Sequence, residues 1–326
     1  LTVANRFVRS ATVEFLSDDD GRPLPELSAM YRALAKGGVG LIISGSAYID
    51  PGGKAFKKMS GIYDDALIPD WQKVTDAVHE AGGKIAMQIM HGGRYCAPGV
   101  ASGPPLAPSP VPARVDGPCP VALSERDIRG LIRAFALAAG RAKEAGFDAV
   151  QLHGAHGYLI HSFHSPASNL RRDAWGGTPA RRLHFLEEVA TAARDVVGDD
   201  YPLFIKLGTV DFVPGGMEEK DGVEIIRHLR GMGFDAVEIS GGIGFSGSIR
   251  KGIRSQEDEA YFLPIARRAR HVTDLPIILV GGMRSKEVME SILEEGSADL
   301  ISLCRPLIRE PDLPNRIRNG QDKATC

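Results

Sequence analysis

FDAVQLHGAHGYLIHSFHSPASN, residues 147–169, is the stretch on which the fold of this chain turns. A short run over 149–153, almost free of polar residues, leads directly into His153, His156 and Tyr158. That pattern suits a strand buried on both faces whose C-terminal end delivers polar side chains into a pocket. Two imidazoles and a phenol so close together are suited to polarising a carbonyl and protonating a carbon. Histidines on a β-to-α loop also serve simply to tie the loop down, and that bland reading stands beside the catalytic one.

Outward from this unit, the same alternation recurs along the chain. Apolar runs rich in Val, Ile and Leu predict strands over 7–13, 39–44, 84–90, 149–153, 203–207, 236–240, 277–280 and 300–303. Amphipathic patterns between them predict helices over 27–35, 68–81, 125–145, 180–197, 221–232, 258–272 and 286–295. Five of these stop at AKGG, EAGG, EAGF, GMGF and EEGS, where a C-cap glycine belongs. Eight strands in even rhythm without a linker predict an α/β fold, a (β/α)8 TIM barrel forming a single domain over 1–326. An open doubly wound sheet is the alternative and fits the even spacing less well.

In a barrel the chemistry collects at the C-terminal strand ends. Those ends carry Ser10, Ala11 and Thr12; Gly45 and Ser46; Gln88 with HGGR at 91–94; His153, His156 and Tyr158; Lys206; the GGIGFSG run; Gly281 and Gly282; and Cys304 with Arg305. Glycines after the seventh strand and an arginine after the eighth match the usual barrel phosphate site, where backbone N–H groups and a short helix start hold the anion. The glycine pair also reads as a plain turn. The stretch 91–124 breaks the rhythm: long, rich in Pro and Gly and without periodicity, it leaves the third strand's C-terminal end and is expected to wall or cover the site.

Composition removes several classes. At 326 residues, 43% hydrophobic and 25% charged, the chain is typical of globular proteins with a sizeable core. A net charge of −2 without a basic run argues against nucleic acid as a partner. No apolar stretch is long enough for a membrane helix, and no signal peptide is visible, although the chain opens on Leu1. Cys96, Cys119, Cys304 and Cys326 show neither disulfide nor zinc spacing, so the expected location is a reducing cytoplasm.

Three other chemistries fare worse. His153, His156, His161 and His164 are potential metal ligands, but no Asp or Glu falls in that run, which reads as strand then loop; no metal is expected. Gly242, Gly244 and Gly247 form a G-x-G-x-x-G match, yet SIRKGIRSQ after it opens no apolar-periodic helix. A site loop is preferred there, with Arg250, Lys251 and Arg254 available to an anionic substrate or merely solvated. Cys96 and Cys119 have nothing nearby to lower a thiol pKa, and no G-x-S-x-G elbow occurs.

NRFVRSAT at 5–12, GGVGLIISGSA at 37–47, QIMHGGR at 88–94, HGAHGYLIHSFHSPASNLRRDAWGG at 153–177, VGGM at 280–283 and CRPLIREPDLP at 304–314 together resemble the Old Yellow Enzyme family. These are the FMN-dependent NAD(P)H:flavin oxidoreductases and ene-reductases, related to the barrel domain of 2,4-dienoyl-CoA reductase. The resemblance implies FMN across the strand ends, its phosphate on Gly281, Gly282 and Arg305 close to Cys304. It implies Gln88 on the flavin's pyrimidine edge, Lys206 beside N1 and O2, and Ser10, Ala11, Thr12 and Gly45 as floor and edge. NADH or NADPH would give hydride to the flavin, which would reduce the C=C bond of an enone or enoyl compound. His153 and His156 would hold the carbonyl oxygen and Tyr158 would protonate the α-carbon.

The resemblance also implies a homo-oligomer. Two details depart from it: Thr12 or Val13 faces flavin O4 depending on a one-residue register, and Cys304 stands where glycine is common. The chain ends at KATC, where larger relatives continue into an iron–sulfur segment. A complete reductase and the catalytic barrel of a longer iron–sulfur flavoprotein are both open. A third possibility is a phosphate-binding lyase or aldolase using Lys206 as a Schiff base.

Overall fold

The computed structural model describes residues 1–244 and 252–325. Eight parallel strands, β1 (Phe7–Arg9), β2 (Leu41–Ile43), β3 (Ile85–Met90), β4 (Ala149–Gly154), β5 (Leu203–Gly208), β6 (Ala236–Ser240), β7 (Ile277–Leu279) and β8 (Leu300–Leu303), pair in chain order. The sheet closes because β1 pairs with both β2 and β8, Val8 facing Leu41 on one side and Ser302 on the other. The TIM barrel expected from the spacing is therefore present as one domain.

Helices α1 (Pro25–Lys36), α2 (Ile68–Glu80), α3 (Glu125–Glu144), α4 (Leu159–His164), α5 (Pro179–Val197), α6 (Glu219–Leu229), α7 (Leu263–Arg270), α8 (Lys286–Glu294), α9 (Arg305–Arg309) and α10 (Leu313–Arg318) surround it. Their apolar faces and the outward residues of the strands make one continuous core that includes Trp71, Phe135, Phe163 and Phe185. Gly146 and Gly233, at φ 85° and 85°, let the chain turn sharply from α3 and α6 into the next strands. Among the described residues no helix is long and apolar enough to cross a membrane.

Inside the barrel, side chains at alternate strand positions form layers. Val8, Leu41, Ala86, Ala149, Phe204, Ala236 and Ile278 fill the bottom as a small apolar cluster. Two residues further along, Ser10, Gln88, Gln151, Lys206, Glu238 and Ser302 make a buried polar layer. The cleft opens above them.

The structure moves several predicted boundaries. The strand expected over 7–13 leaves the sheet after Arg9, whose guanidinium turns to Glu14 at 2.7 Å and pulls the following segment across the barrel mouth. The helix expected from 258 starts at Leu263 instead: Glu259 accepts from the backbone N–H of Arg284 and Ser285, Ala260 sits at φ 51°, and Pro264 then fixes the first turn. Leu159–His164 is helical rather than loop, and α9 and α10 were not anticipated. Within 91–124, Gly93–Tyr95 forms one turn and Leu106–Ala107 pairs with Val121–Ala122 in parallel.

Candidate active site

The cleft over the polar layer has a volume of about 480 Å³. Ala11, Thr12, His156, Tyr158, Lys206, Gly282, Cys304 and Arg305 line it, so residues expected on five strand ends do meet there. Ser10, Gly45, Gln88, His153 and Gly281 lie behind this surface rather than on it. Thr12, not Val13, faces the cleft, and its hydroxyl lies 2.9 Å from Cys304 Sγ.

The β4–α4 turn is built by its own histidines. His156 takes φ 62°, strained for a residue with a Cβ, and is held there by neighbours on both sides. Its Nε2 lies 2.8 Å from Ser240 Oγ, and its carbonyl accepts from Gly244 N–H at 3.1 Å. His161, from the first turn of α4, accepts the Gly157 N–H at 3.0 Å on Nδ1 and meets Asp211 at 2.8 Å through Nε2. Asp211 also accepts from Ser165 Oγ and Met217 N–H, so one buried carboxylate pins the turn to the end of β5.

The rings of His153 and His156 stand edge-on with centroids 5.2 Å apart, and Tyr158 stands edge-on to His153 at 4.9 Å. Burial pushes His153 well below the ordinary histidine range, helped by His156 and the Lys206 charge. Burial and then Lys206 bring His156 down to about 3. Both imidazoles are therefore neutral near pH 7. His153 Nδ1 accepts from Ala155 N–H at 3.3 Å, which assigns its proton to Nε2 and makes that atom a donor. Burial raises Tyr158 to about 12, keeping the phenol protonated and able to give a proton.

Below them, Lys206 Nζ donates to Ser10 Oγ at 2.8 Å and to Glu238 Oε1 at 3.0 Å. Burial would raise the Glu238 carboxyl, but Lys206 and the Ser10 and Ser302 hydroxyls outweigh it and hold it below the usual range. Gln88 donates to Gln151 Oε1 at 2.7 Å, and Gln151 donates to Glu238 Oε2 at 3.0 Å. Ser46 Oγ donates to Gln88 Oε1. Gly45 needs to be small for a reason inside the protein: a Cβ there would strike the Glu14 carboxylate, which accepts the Gly45 N–H at 2.9 Å.

At the other end of the cleft, Gly281 and Gly282 take φ 145° and 79°, leaving backbone without a Cβ beside Arg305. Arg284 adds a second guanidinium to this wall, and its buried Nε has no hydrogen-bond partner among the described residues. Cations at one end, a lysine on the floor and paired donors on the side fit a flat, phosphate-bearing ring system such as FMN. Among the described residues no group of three or more His, Cys, Asp or Glu is placed to hold a metal ion.

The structure adds Arg284, Gln151, Glu238, Asp211 and Tyr95 to the residues expected at the site. Tyr95, in the first turn of the 91–124 loop, packs edge-on against Tyr158 at 5.6 Å. Cys96 is buried and its thiol is pushed up to about 12 by burial, which leaves it inert. Gly247, Arg250 and Lys251 lie outside the described residues. Gly242 and Gly244 bond back to Val210 O and His156 O, supporting the turn instead of cradling a dinucleotide.

Comparison with known proteins agrees with this geometry. The model of the NADH:flavin oxidoreductase / NADH oxidase family matches residues 1–324. An NADH oxidase of Thermoanaerobacter brockii is 36% identical over 323 residues, covering 98% of this chain and 50% of that protein. An NADPH dehydrogenase of Geobacillus thermodenitrificans is 36% identical over 315 residues, covering 96% of this chain and 89% of that protein. The Old Yellow Enzyme homologue of Zymomonas mobilis superposes with a TM-score of 0.84 at 27% identity, covering 100% of this chain and 92% of that one. The chain spans about half the length of the NADH oxidase and of a metal reductase of Desulforamulus reducens, at 50% and 45%. FMN and NAD(P)H are the cofactors of this group, and the chain belongs to the NADH:flavin oxidoreductase / NADH oxidase family, the Old Yellow Enzymes.

Proposed function

We propose that residues 1–326 act as one FMN-binding barrel that takes hydride from NADH or NADPH and reduces the C=C bond of α,β-unsaturated carbonyl compounds. The observation that carries this reading is the trio of His153, His156 and Tyr158, two neutral imidazoles and a protonated phenol packed ring edge to ring face, with His156 and Tyr158 on the cleft wall and His153 directly behind them. FMN in the cleft would relay hydride from the nicotinamide to the alkene. Gly281, Gly282, Arg284 and Arg305 would hold its phosphate, Gln88 and Lys206 its pyrimidine edge, and Ser10, Ala11, Thr12, Gly45 and Cys304 would shape the floor around it.

The side chains then have separate tasks. His153 and His156 donate to the substrate's carbonyl oxygen and draw electron density from the β-carbon. His156 donates from Nδ1 in the tautomer whose Nε2 accepts from the Ser240 hydroxyl. Tyr158 gives its phenolic proton to the α-carbon, and burial preserves that proton up to about pH 12. Lys206 fits this role better than a Schiff-base lyase, because its amine is engaged by Glu238 and Ser10. The expected setting is a reducing cytoplasm, with a small enone or enoyl substrate and a homo-oligomeric assembly. The same chemistry serves a free-standing reductase or the barrel of a longer flavoprotein.

The test separates the two half-reactions. Tyr158→Phe is expected to leave flavin bleaching by NAD(P)H within about twofold and to slow alkene reduction by about 10²–10³. Equal losses in both steps would remove Tyr158 from the proton-transfer role.

A further inference from the structure

Glu238 is a carboxylate wholly inside the barrel, on a strand otherwise made of Ala, Val, Ile and Ser. Its two oxygens collect four side-chain donors from four other strand ends or strands. Oε1 accepts from Lys206 Nζ at 3.0 Å, Ser10 Oγ at 2.8 Å and Ser302 Oγ at 2.8 Å; Oε2 accepts from Gln151 Nε2 at 3.0 Å. An ionised carboxylate only accepts, so it sets the direction of everything bonded to it. Gln151 must turn its NH2 to Glu238 and its Oε1 to Gln88. Gln88 must then give one amide hydrogen to Gln151 and turn Oε1 toward Ser46. Lys206 and Gln88 are the two polar side chains assigned to the flavin's pyrimidine edge, and both are aimed by the same carboxylate.

We propose that Glu238 is a positioning residue for the cofactor: it fixes the Lys206 ammonium by direct ion pairing and fixes the Gln88 amide through Gln151, while compensating the charge that Lys206 presents to the flavin. The inference rests on the FMN reading of the cleft. The other titratable groups facing the pair are His153 and His156, whose neutral rings add no charge. The remaining partners, Ser10, Ser302 and Gln151, are uncharged. The flavin edge therefore meets an ion pair of zero net charge, a weaker field than a bare ammonium would give.

Two variants test the two arms. Glu238→Gln keeps the shape and removes the compensating charge. Sulfite binding to the oxidised flavin places negative charge on its pyrimidine edge, so the variant should bind sulfite about tenfold more tightly than wild type. A purely structural role for Glu238 would loosen the site and weaken sulfite binding; weakened or unchanged affinity overturns the charge-compensating role. Gln151→Met spares the carboxylate and its ion pair but frees the Gln88 amide. It should raise the FMN dissociation constant about tenfold, read by fluorescence quenching on reconstitution. An unchanged constant overturns the relay to Gln88, and this arm stands even if Glu238→Gln fails to fold. A wild-type protein that binds FMN but is not bleached by NAD(P)H would count against the functional reading and leave both measurements intact.

Discussion

His164 fills the interior without a hydrogen-bond partner among the described residues on either ring nitrogen, and burial brings it down to about 3. In the unfolded chain the same ring titrates near its ordinary value of about 6.5. Between these two values the unfolded state binds the proton and the folded state does not, so stability falls as pH falls. From pH 7 to pH 5 this one residue should take away about 2 kcal/mol of unfolding free energy. His91, at about 4, and His156, at about 3, act in the same direction. Urea unfolding at both pH values checks this: His164→Leu should lose less stability on acidification than wild type, by about 2 kcal/mol. An identical drop in the variant would mean that His164 is already protonated in the fold.

Residues differ sharply in how far their roles were legible. His153, His156 and Tyr158 are consecutive in one strand–helix unit, so their meeting is written locally. Lys206, Gly282 and Arg305 were reachable because strand ends converge in a barrel. Glu238 and Gln151 were missed although a signal exists. A Glu and a Gln each interrupt an otherwise apolar strand at the inward-pointing position, two residues beyond an inward alanine. Asp211 offers no such signal, since only folding brings it across 50 residues to His161.

The β4–α4 turn is the element on which the site depends, and it is fastened from outside. With His161 and Asp211 both buried, breaking the pair leaves an unpaired polar group in the interior. Asp211→Asn should cost about 3 kcal/mol of stability and slow alkene reduction more than flavin reduction, since His156 and Tyr158 sit on the turn it holds. Differential scanning calorimetry with the two half-reactions measures both effects; a stable variant with normal turnover would show that the turn holds itself. Element boundaries were least legible where tertiary bonds override periodicity. Glu259 interrupts a helical pattern by capping the backbone after β7, and α4 hides among histidines that do not read as an amphipathic face. The 91–124 segment lacks a periodic signal because Pro and Gly dominate it, and its Tyr95 turn packs on Tyr158.

For the whole molecule, barrel closure turns eight separate strand ends into one cleft. Strand spacing and inward alternation make the barrel and its layered interior predictable: apolar below, polar in the middle, open above. Family membership extends over residues 1–324, while the chain covers about half of some longer relatives, such as 50% of the NADH oxidase. In the proposed function this mouth holds a flavin that passes hydride from a nicotinamide to an electron-poor alkene. Its most direct test is an anaerobic spectral titration of the purified protein. The expected result is a yellow protein whose visible absorption is bleached by NADH or NADPH and restored stoichiometrically by cyclohexenone. A colourless protein after FMN reconstitution, or a bleached one that cyclohexenone does not reoxidise, would contradict it.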